Sequence, residues 1–238
     1  MKKVISMLAL IFVLAGLTGC GNVDTATLPS SMEGEATILF IVFDNSGSME
    51  EDVTNAKGKA ESKCDIADRA LIAVGQRFDS YLAAKPNRTL GVGIVEVSGR
   101  PSFSSFKVLN SGVANHFKEW TKTRSNPSGG TPLGNGLKLA SENMDGIANS
   151  NNKHIVVLTD GLSNGGPSPE EVLPKIKERF SKQGIDLGVH VVAFDINDQL
   201  FASLKKLGAT VLGASNEVEL NSQFDFILRE KIMLERPE

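Results

Sequence analysis

Four stretches of the chain are almost continuously apolar and rich in β-branched residues: Thr37 to Phe43 (TILFIVF), Thr89 to Val97 (TLGVGIVEV), His154 to Thr159 (HIVVLT) and Leu187 to Phe194 (LGVHVVAF). Runs of this kind mark strands covered on both faces of a sheet, because a strand with one wet face would alternate. Two shorter runs, Ser105 to Leu109 and Thr210 to Leu212, read as further strands. Between them the apolar period changes to that of a helix. Ile66, Ala67, Ala70, Leu71, Val74, Phe78 and Leu82 predict a helix over Glu61 to Ala84. Other helices are predicted at 114–122, Leu133 to Met144, Pro169 to Gln183, Asp198 to Leu207 and Glu217 to Leu234. Ser168 suits the N-cap of the third of these, Pro169 its first turn and Gly184 the position just past its end. Strands alternating with helices imply right-handed β-α-β units, hence an α/β fold with a doubly wound, mostly parallel six-stranded sheet flanked by helices. Residues 105–109 follow 89–97 too closely for a crossover helix, so they predict one short antiparallel edge strand. No internal repeat and no linker breaks residues 36–238, which read as one domain.

The first twenty residues follow a different pattern. Lys2 and Lys3 precede a run from Val4 to Leu17 that is apolar or small apart from Ser6. The run falls short of the about 20 apolar residues that span a bilayer, so 1–19 read as a secretory signal peptide. Leu17-Thr18-Gly19-Cys20 resembles the bacterial lipobox. That resemblance implies that Cys20 is diacylated, by palmitate or a similar chain, and becomes the mature N-terminus. Acyl chains anchor by burying methylenes at about 0.8 kcal/mol each. The alternative is an ordinary signal in which Cys20 is incidental. Gly21 rather than aspartate follows the cysteine, which favours the outer membrane if the cell is Gram-negative. Residues 20–35, rich in small and polar side chains, suit a flexible tether. The expected location is the bacterial envelope, with the chain held to the membrane by lipid.

Composition narrows the partners. Of 238 residues 41% are hydrophobic and 22% charged, enough apolar material for a packed core and too much for wholesale disorder. A formal charge of -3 excludes a basic nucleic-acid binder. Cys64, the one thiol left besides Cys20, is either buried in its helix or paired between molecules. His116, His154 and His190 are dispersed without metal-ligand spacing, and His190 falls on a strand face. Trp120 is expected to pack, and Glu96, which interrupts an apolar strand near its end, is expected at an exposed rim.

Ligands of such sheets bind beyond the carboxyl ends of the strands. The first strand runs into Asp44-Asn45-Ser46-Gly47-Ser48, and in an extended segment Asp44, Ser46 and Ser48 face one side. The fourth ends at Thr159-Asp160-Gly161, and between them lies Ser128-Gly129-Gly130-Thr131-Pro132, whose glycines permit close backbone approach. These three loops together resemble the von Willebrand factor A domain family: a D-x-S-x-S motif, a threonine in a GGTPL loop and the aspartate of a TDG turn. The resemblance covers about residues 36–238. It implies a metal-ion-dependent adhesion site of Asp44, Ser46, Ser48, Thr131 and Asp160, with the hydroxyls on the metal and the aspartates acting partly through water. Hard oxygens suit Mg²⁺ first, with Ca²⁺ or Mn²⁺ as alternatives, and not zinc. Neutral hydroxyls leave the ion's charge poorly neutralised, so a partner protein's Asp or Glu carboxylate can complete the shell.

Around this set the reading stays open. Glu50, Glu51 and Asp52 form either a rim of the site or a solvated acidic loop, and 55–63 is a polar, mobile-looking segment beside it. Asp195 either borders the pocket as an acceptor or serves an ordinary turn. Three functions compete: a cation-dependent protein-binding module for adhesion or assembly, a scaffold whose metal is structural, and a metal-dependent hydrolase. The last is disfavoured because no His, Lys or Cys is obviously placed as a base beside Ser46 or Ser48. No small-molecule substrate is expected.

Overall fold

The structure is a computed structural model, and it describes residue 28 and residues 35–148 and 150–233. The signal segment 1–19, Cys20, nearly all of the tether and Leu234 lie outside the described residues.

A six-stranded sheet forms the centre. Its strands are β1 (Glu35–Asp44), β4 (Arg88–Val97), β5 (Ser102–Leu109), β6 (Asn152–Thr159), β7 (Gly188–Phe194) and β8 (Thr210–Ala214), in the spatial order β5-β4-β1-β6-β7-β8. All neighbours are parallel except β4 and β5, which pair antiparallel at the edge. A separate two-stranded hairpin, β2 (Asp52–Thr54) with β3 (Ala60–Ser62), projects from the connection after β1. The helices are α1 (Lys63–Ala84), α2 (Val113–Thr123), α3 (Leu133–Asp145), α4 (Pro169–Ser181), α5 (Ala202–Lys206) and α6 (Glu217–Ile227).

The continuous apolar runs follow from the two-layer cover. On β1, Ile38, Phe40 and Val42 enter one core with α3 and α4, while Leu39, Ile41 and Phe43 enter the other with α1, α2 and α6. Successive side chains of a strand point to opposite faces, so a strand covered on both must be apolar at every position. Trp120 packs its ring edge-on against Phe43, with centroids 5.0 Å apart, and Cys64 is buried in the α1 core. Burial pushes the Cys64 thiol up to about 12, so it stays protonated and inert.

Element boundaries differ from the sequence expectation at points with local causes. Glu61 belongs to β3, not to the first helix, because Ser62 stays extended and caps the helix by accepting the Asp65 N–H at 3.1 Å. The segment 55–63, read as a loop from its polarity, instead contributes β3. Asp198–Phe201 form a 3-10 turn ahead of α5, and α6 passes into a π-helical turn at Leu228–Ile232. At the amino-terminal face of α4, Ser168 and Glu171 form a reciprocal capping box. No helix among the described residues is long and apolar enough to cross a membrane.

At the opposite end of the sheet from the loops described below, His154 Nδ1 and His190 Nε2 lie 3.1 Å apart with stacked rings. Burial, and after it the charges of His154, Lys231 and Lys177, pulls His190 down to about 3. The unfolded chain would take up this proton near the ordinary histidine value of about 6.5, whereas the folded chain refuses it until about 3. Stability from this group is therefore present above pH about 6.5 and is lost as the pH falls. His190 alone should contribute a decline on the order of 3 kcal/mol to denaturant unfolding between pH about 6.5 and 4, and His190→Gln should remove that share, leaving the part due to buried His116.

Candidate metal centre

Asp44 is the last residue of β1 and has no exposed surface. Its Oδ1 accepts the Ser46 N–H at 3.0 Å and its Oδ2 accepts the Thr159 hydroxyl at 2.6 Å. Thr159 closes β6, next to β1 in the sheet, so adjacent strands fix both carboxylate oxygens. After Ser46 the chain does not stay extended; Gly47–Glu50 form a 3-10 turn. The turn still leaves the hydroxyls of Ser46 and Ser48 3.2 Å apart, and Ser48 Oγ donates to Asp160 Oδ1 at 2.8 Å. Two carboxylates and two hydroxyls from β1 and β6 thus meet at one edge.

The loop that carries Thr131 is laced to the first by its backbone. Gly47 N–H donates to Gly129 O at 3.1 Å, Ser128 N–H to Asn45 O at 2.9 Å and Gly99 N–H to Gly130 O at 2.8 Å. Gly129 has φ +70, and a Cβ there would sit 3.1 Å from the backbone of Gly99. A Cβ on Gly130 would lie 2.4 Å from Asn164 Oδ1, the atom that accepts the Thr131 N–H at 2.6 Å. Asn164 N–H in turn donates to Thr131 O at 3.0 Å. Thr131, buried, is held on both sides by one asparagine, and its hydroxyl lies 3.8 Å from where a Cβ on Gly161 would be. Asn164 carries no motif signal in the sequence, since its role depends on a backbone contact made across the fold.

Asn45 joins these loops to the sheet. Its amide donates to Glu96 Oε1 and to Ser125 O, both at 2.9 Å, and its Oδ1 accepts Arg124 Nη1 at 3.4 Å. Glu96, expected at an exposed rim, is buried and takes hydrogen bonds from Asn45 and the Ser125 hydroxyl. Those two donors, distant in sequence, make burial of the carboxylate tolerable.

The two aspartates have different electrostatic surroundings. Burial pushes Asp44 up to about 6, the hydrogen bonds from Thr159 and Ser46 hold it lower than burial alone would, and Asp160 pushes it further up. Among the described residues no basic side chain pairs with Asp44. Asp160 has Lys63, whose ammonium lies 3.1 Å from Oδ2, 2.9 Å from Glu51 Oε2 and 3.2 Å from Asp195 Oδ2. Burial works against the charge on Lys63, but its hydrogen bonds to Glu51, Asp160 and Asp195 outweigh it and raise its pKa. Asp195 is thus brought to the cluster, from a left-handed backbone at φ 55. Glu50 is exposed and is not brought in; its neighbour Glu51 is. Lys63 stands at the end of the polar segment 55–63 in the sequence, and only the start of α1 turns it inward.

The donor set contains only oxygen: the carboxylates of Asp44 and Asp160 and the hydroxyls of Ser46, Ser48 and Thr131. Such a set suits Mg²⁺, Mn²⁺ or Ca²⁺ and is a poor match for zinc. It also has a deficit that a cation would fill, because Asp44 is fully buried with hydrogen bonds and, among the described residues, no counter-charge. The residues present fit a divalent ion.

A family model described as the von Willebrand factor type A domain matches residues 39–224. A search of curated proteins finds no match. Among solved structures, the PilB minor pilin from Streptococcus sanguinis superposes with a TM-score of 0.63 at 20% identity, covering 84% of this chain and 62% of its own. The pilus adhesin SpaC from Lactobacillus rhamnosus GG gives 0.61 at 13% identity, covering 85% of this chain and 30% of its own. The von Willebrand factor domain of the type V pili tip protein Mfa5 from Porphyromonas gingivalis gives 0.58 at 16% identity, covering 87% and 99%. The chain therefore spans less than two thirds of the PilB and SpaC chains, and at these identities the likeness is one of fold.

Gly129→Ala should strain the loop at its positive φ and lower stability by about 1–3 kcal/mol in urea unfolding. Gly146→Ala, at φ -71 with no neighbour closer than 3.9 Å, should shift it by less than about 0.5 kcal/mol.

Proposed function

Because the chain belongs to the von Willebrand factor type A domain family, we propose that it is an envelope-anchored, non-enzymatic module that binds a protein partner through a divalent cation. The observation that carries this reading is the meeting of Asp44, Ser46, Ser48 and Asp160 at one sheet edge, with Thr131 pinned beside them.

Asp44 and Asp160 supply the negative charge that holds the ion, Ser46, Ser48 and Thr131 supply neutral oxygens, and Mg²⁺ is the preferred occupant. Bound there, the ion supplies an open coordination position for a carboxylate. The neutral hydroxyls leave much of its charge uncompensated, which favours an Asp or Glu of the partner over a neutral ligand. Thr159 and the Ser46 N–H orient Asp44, and Asn164 orients Thr131, so little side-chain freedom is lost on binding. The serine hydroxyls bond to each other and to Asp160, with no His, Lys or Cys among their partners, which supports binding rather than nucleophilic chemistry. Cys20, lipidated, would hold the domain to the membrane through the tether 20–35, in the outer membrane if the cell is Gram-negative. Adhesion or assembly is the role, in keeping with the minor pilin, pilus adhesin and pili tip protein among the structural neighbours.

Retention of a partner from envelope extracts tests this directly. Wild type in Mg²⁺ should retain it, while EDTA or Thr131→Ala should release it by about tenfold or more, as loss of an ion-bridged carboxylate requires. If Asp44→Ala abolishes cation uptake in equilibrium dialysis yet leaves retention intact, the metal is structural and the partner binds elsewhere.

A further inference from the structure

Lys63 is the first residue of α1, and its side chain is 5% exposed. It is held at two points by residue 51: its backbone N–H donates to Glu51 O at 2.9 Å and its ammonium to Glu51 Oε2 at 2.9 Å. The same ammonium donates to Asp160 Oδ2 at 3.1 Å and lies 3.2 Å from Asp195 Oδ2. One lysine therefore gathers three carboxylates from three different connections, those after β1, β6 and β7. Asp160 is consequently committed on both sides, because Oδ1 accepts Ser48 while Oδ2 belongs to Lys63.

From this geometry we infer that Lys63 is a positioning residue that sets the ion preference of the site, favouring Mg²⁺ over Ca²⁺; the inference rests on the metal site proposed above. The physical reason lies in oxygen count. Ca²⁺ takes six to eight oxygens and favours bidentate carboxylates, whereas Mg²⁺ takes six in a tight octahedron and keeps several waters. With Lys63 in place, Asp160 offers one oxygen, Oδ1, toward Ser48, and Glu51 and Asp195 are engaged by the same ammonium. Without it, Asp160 is free to offer both oxygens, and two further carboxylates stand unneutralised at the same edge. That is a Ca²⁺-type environment. The ammonium also offsets part of the negative charge at this edge, shared among Asp160, Glu51 and Asp195. It thereby weakens the hold on any dication and leaves more of the ion's charge for a partner's carboxylate.

Calorimetric titration of the full chain with Mg²⁺ alone and with Ca²⁺ alone, in wild type, Lys63→Gln and Lys63→Arg, tests this. Wild type should bind Mg²⁺ more tightly than Ca²⁺. Lys63→Gln should tighten both ions and shift the preference toward Ca²⁺ by about tenfold, the order expected when a unit charge a few Å away is removed. Lys63→Arg should stay near the wild-type ratio. Thermal unfolding supplies a second readout. Metal-free Lys63→Gln should melt lower than wild type, since Asp160 loses its counter-charge, and Ca²⁺ should raise its melting temperature more than that of wild type. An unchanged Ca²⁺ to Mg²⁺ ratio in folded Lys63→Gln would overturn the role of Lys63 while leaving the metal site standing. So would a wild type that prefers Ca²⁺. Absence of binding by either ion to all three proteins would overturn both.

Discussion

A carboxylate carried to the end of a strand with no wet face must find its compensation within the protein or from a ligand. β1 lies between β4 and β6 and is covered by helices on both sides, so its last residue, Asp44, arrives at the sheet edge with no exposed surface. Burying an ionised carboxylate without a partner costs several kcal/mol. Thr159 and the Ser46 N–H offset part of that cost, but both are neutral donors. The remaining deficit is electrostatic, and the hydroxyls of Ser46 and Ser48, which follow in the same segment, surround the place where a cation would remedy it. The loop at Gly129–Thr131 and Asn45 tie the surrounding connections together by hydrogen bonds.

The neighbouring aspartate solves the same problem in a different way. Asp160 has an internal cation in Lys63, which it shares with Glu51 and Asp195. One edge of the sheet therefore holds a compensated carboxylate and an uncompensated one a few Å apart. Under the proposed function, this asymmetry would suit one divalent ion beside Asp44.

How much of this is legible in the sequence depends on the range of the interactions. Four of the six strands, β1, β4, β6 and β7, announce themselves because double-sided burial demands apolar residues at nearly every position, as in TILFIVF and HIVVLT. That Asp44, Ser46, Ser48 and Asp160 lie together at one sheet edge is legible because each sits at or just past the end of a strand, where topology fixes its location. The hairpin β2–β3 is not, because its three-residue strands are polar and their pairing leaves no periodicity to read. Glu96 misleads for a related reason: a carboxylate in a strand looks like a rim residue until Asn45 and Ser125 are known to reach it. Lys63 and Asn164 act through contacts 97 and 33 residues away in sequence, and no local pattern distinguishes them from surface residues.

The central claim is that oxygens from separate loops form one cation site around Asp44. The most direct measurement is anomalous scattering from crystals of the protein grown in Mn²⁺. The account predicts a single strong anomalous peak within coordinating distance of the Ser46, Ser48 and Thr131 hydroxyls. A folded protein in the same salt with no peak there, or with manganese only at unrelated surface carboxylates, would contradict it.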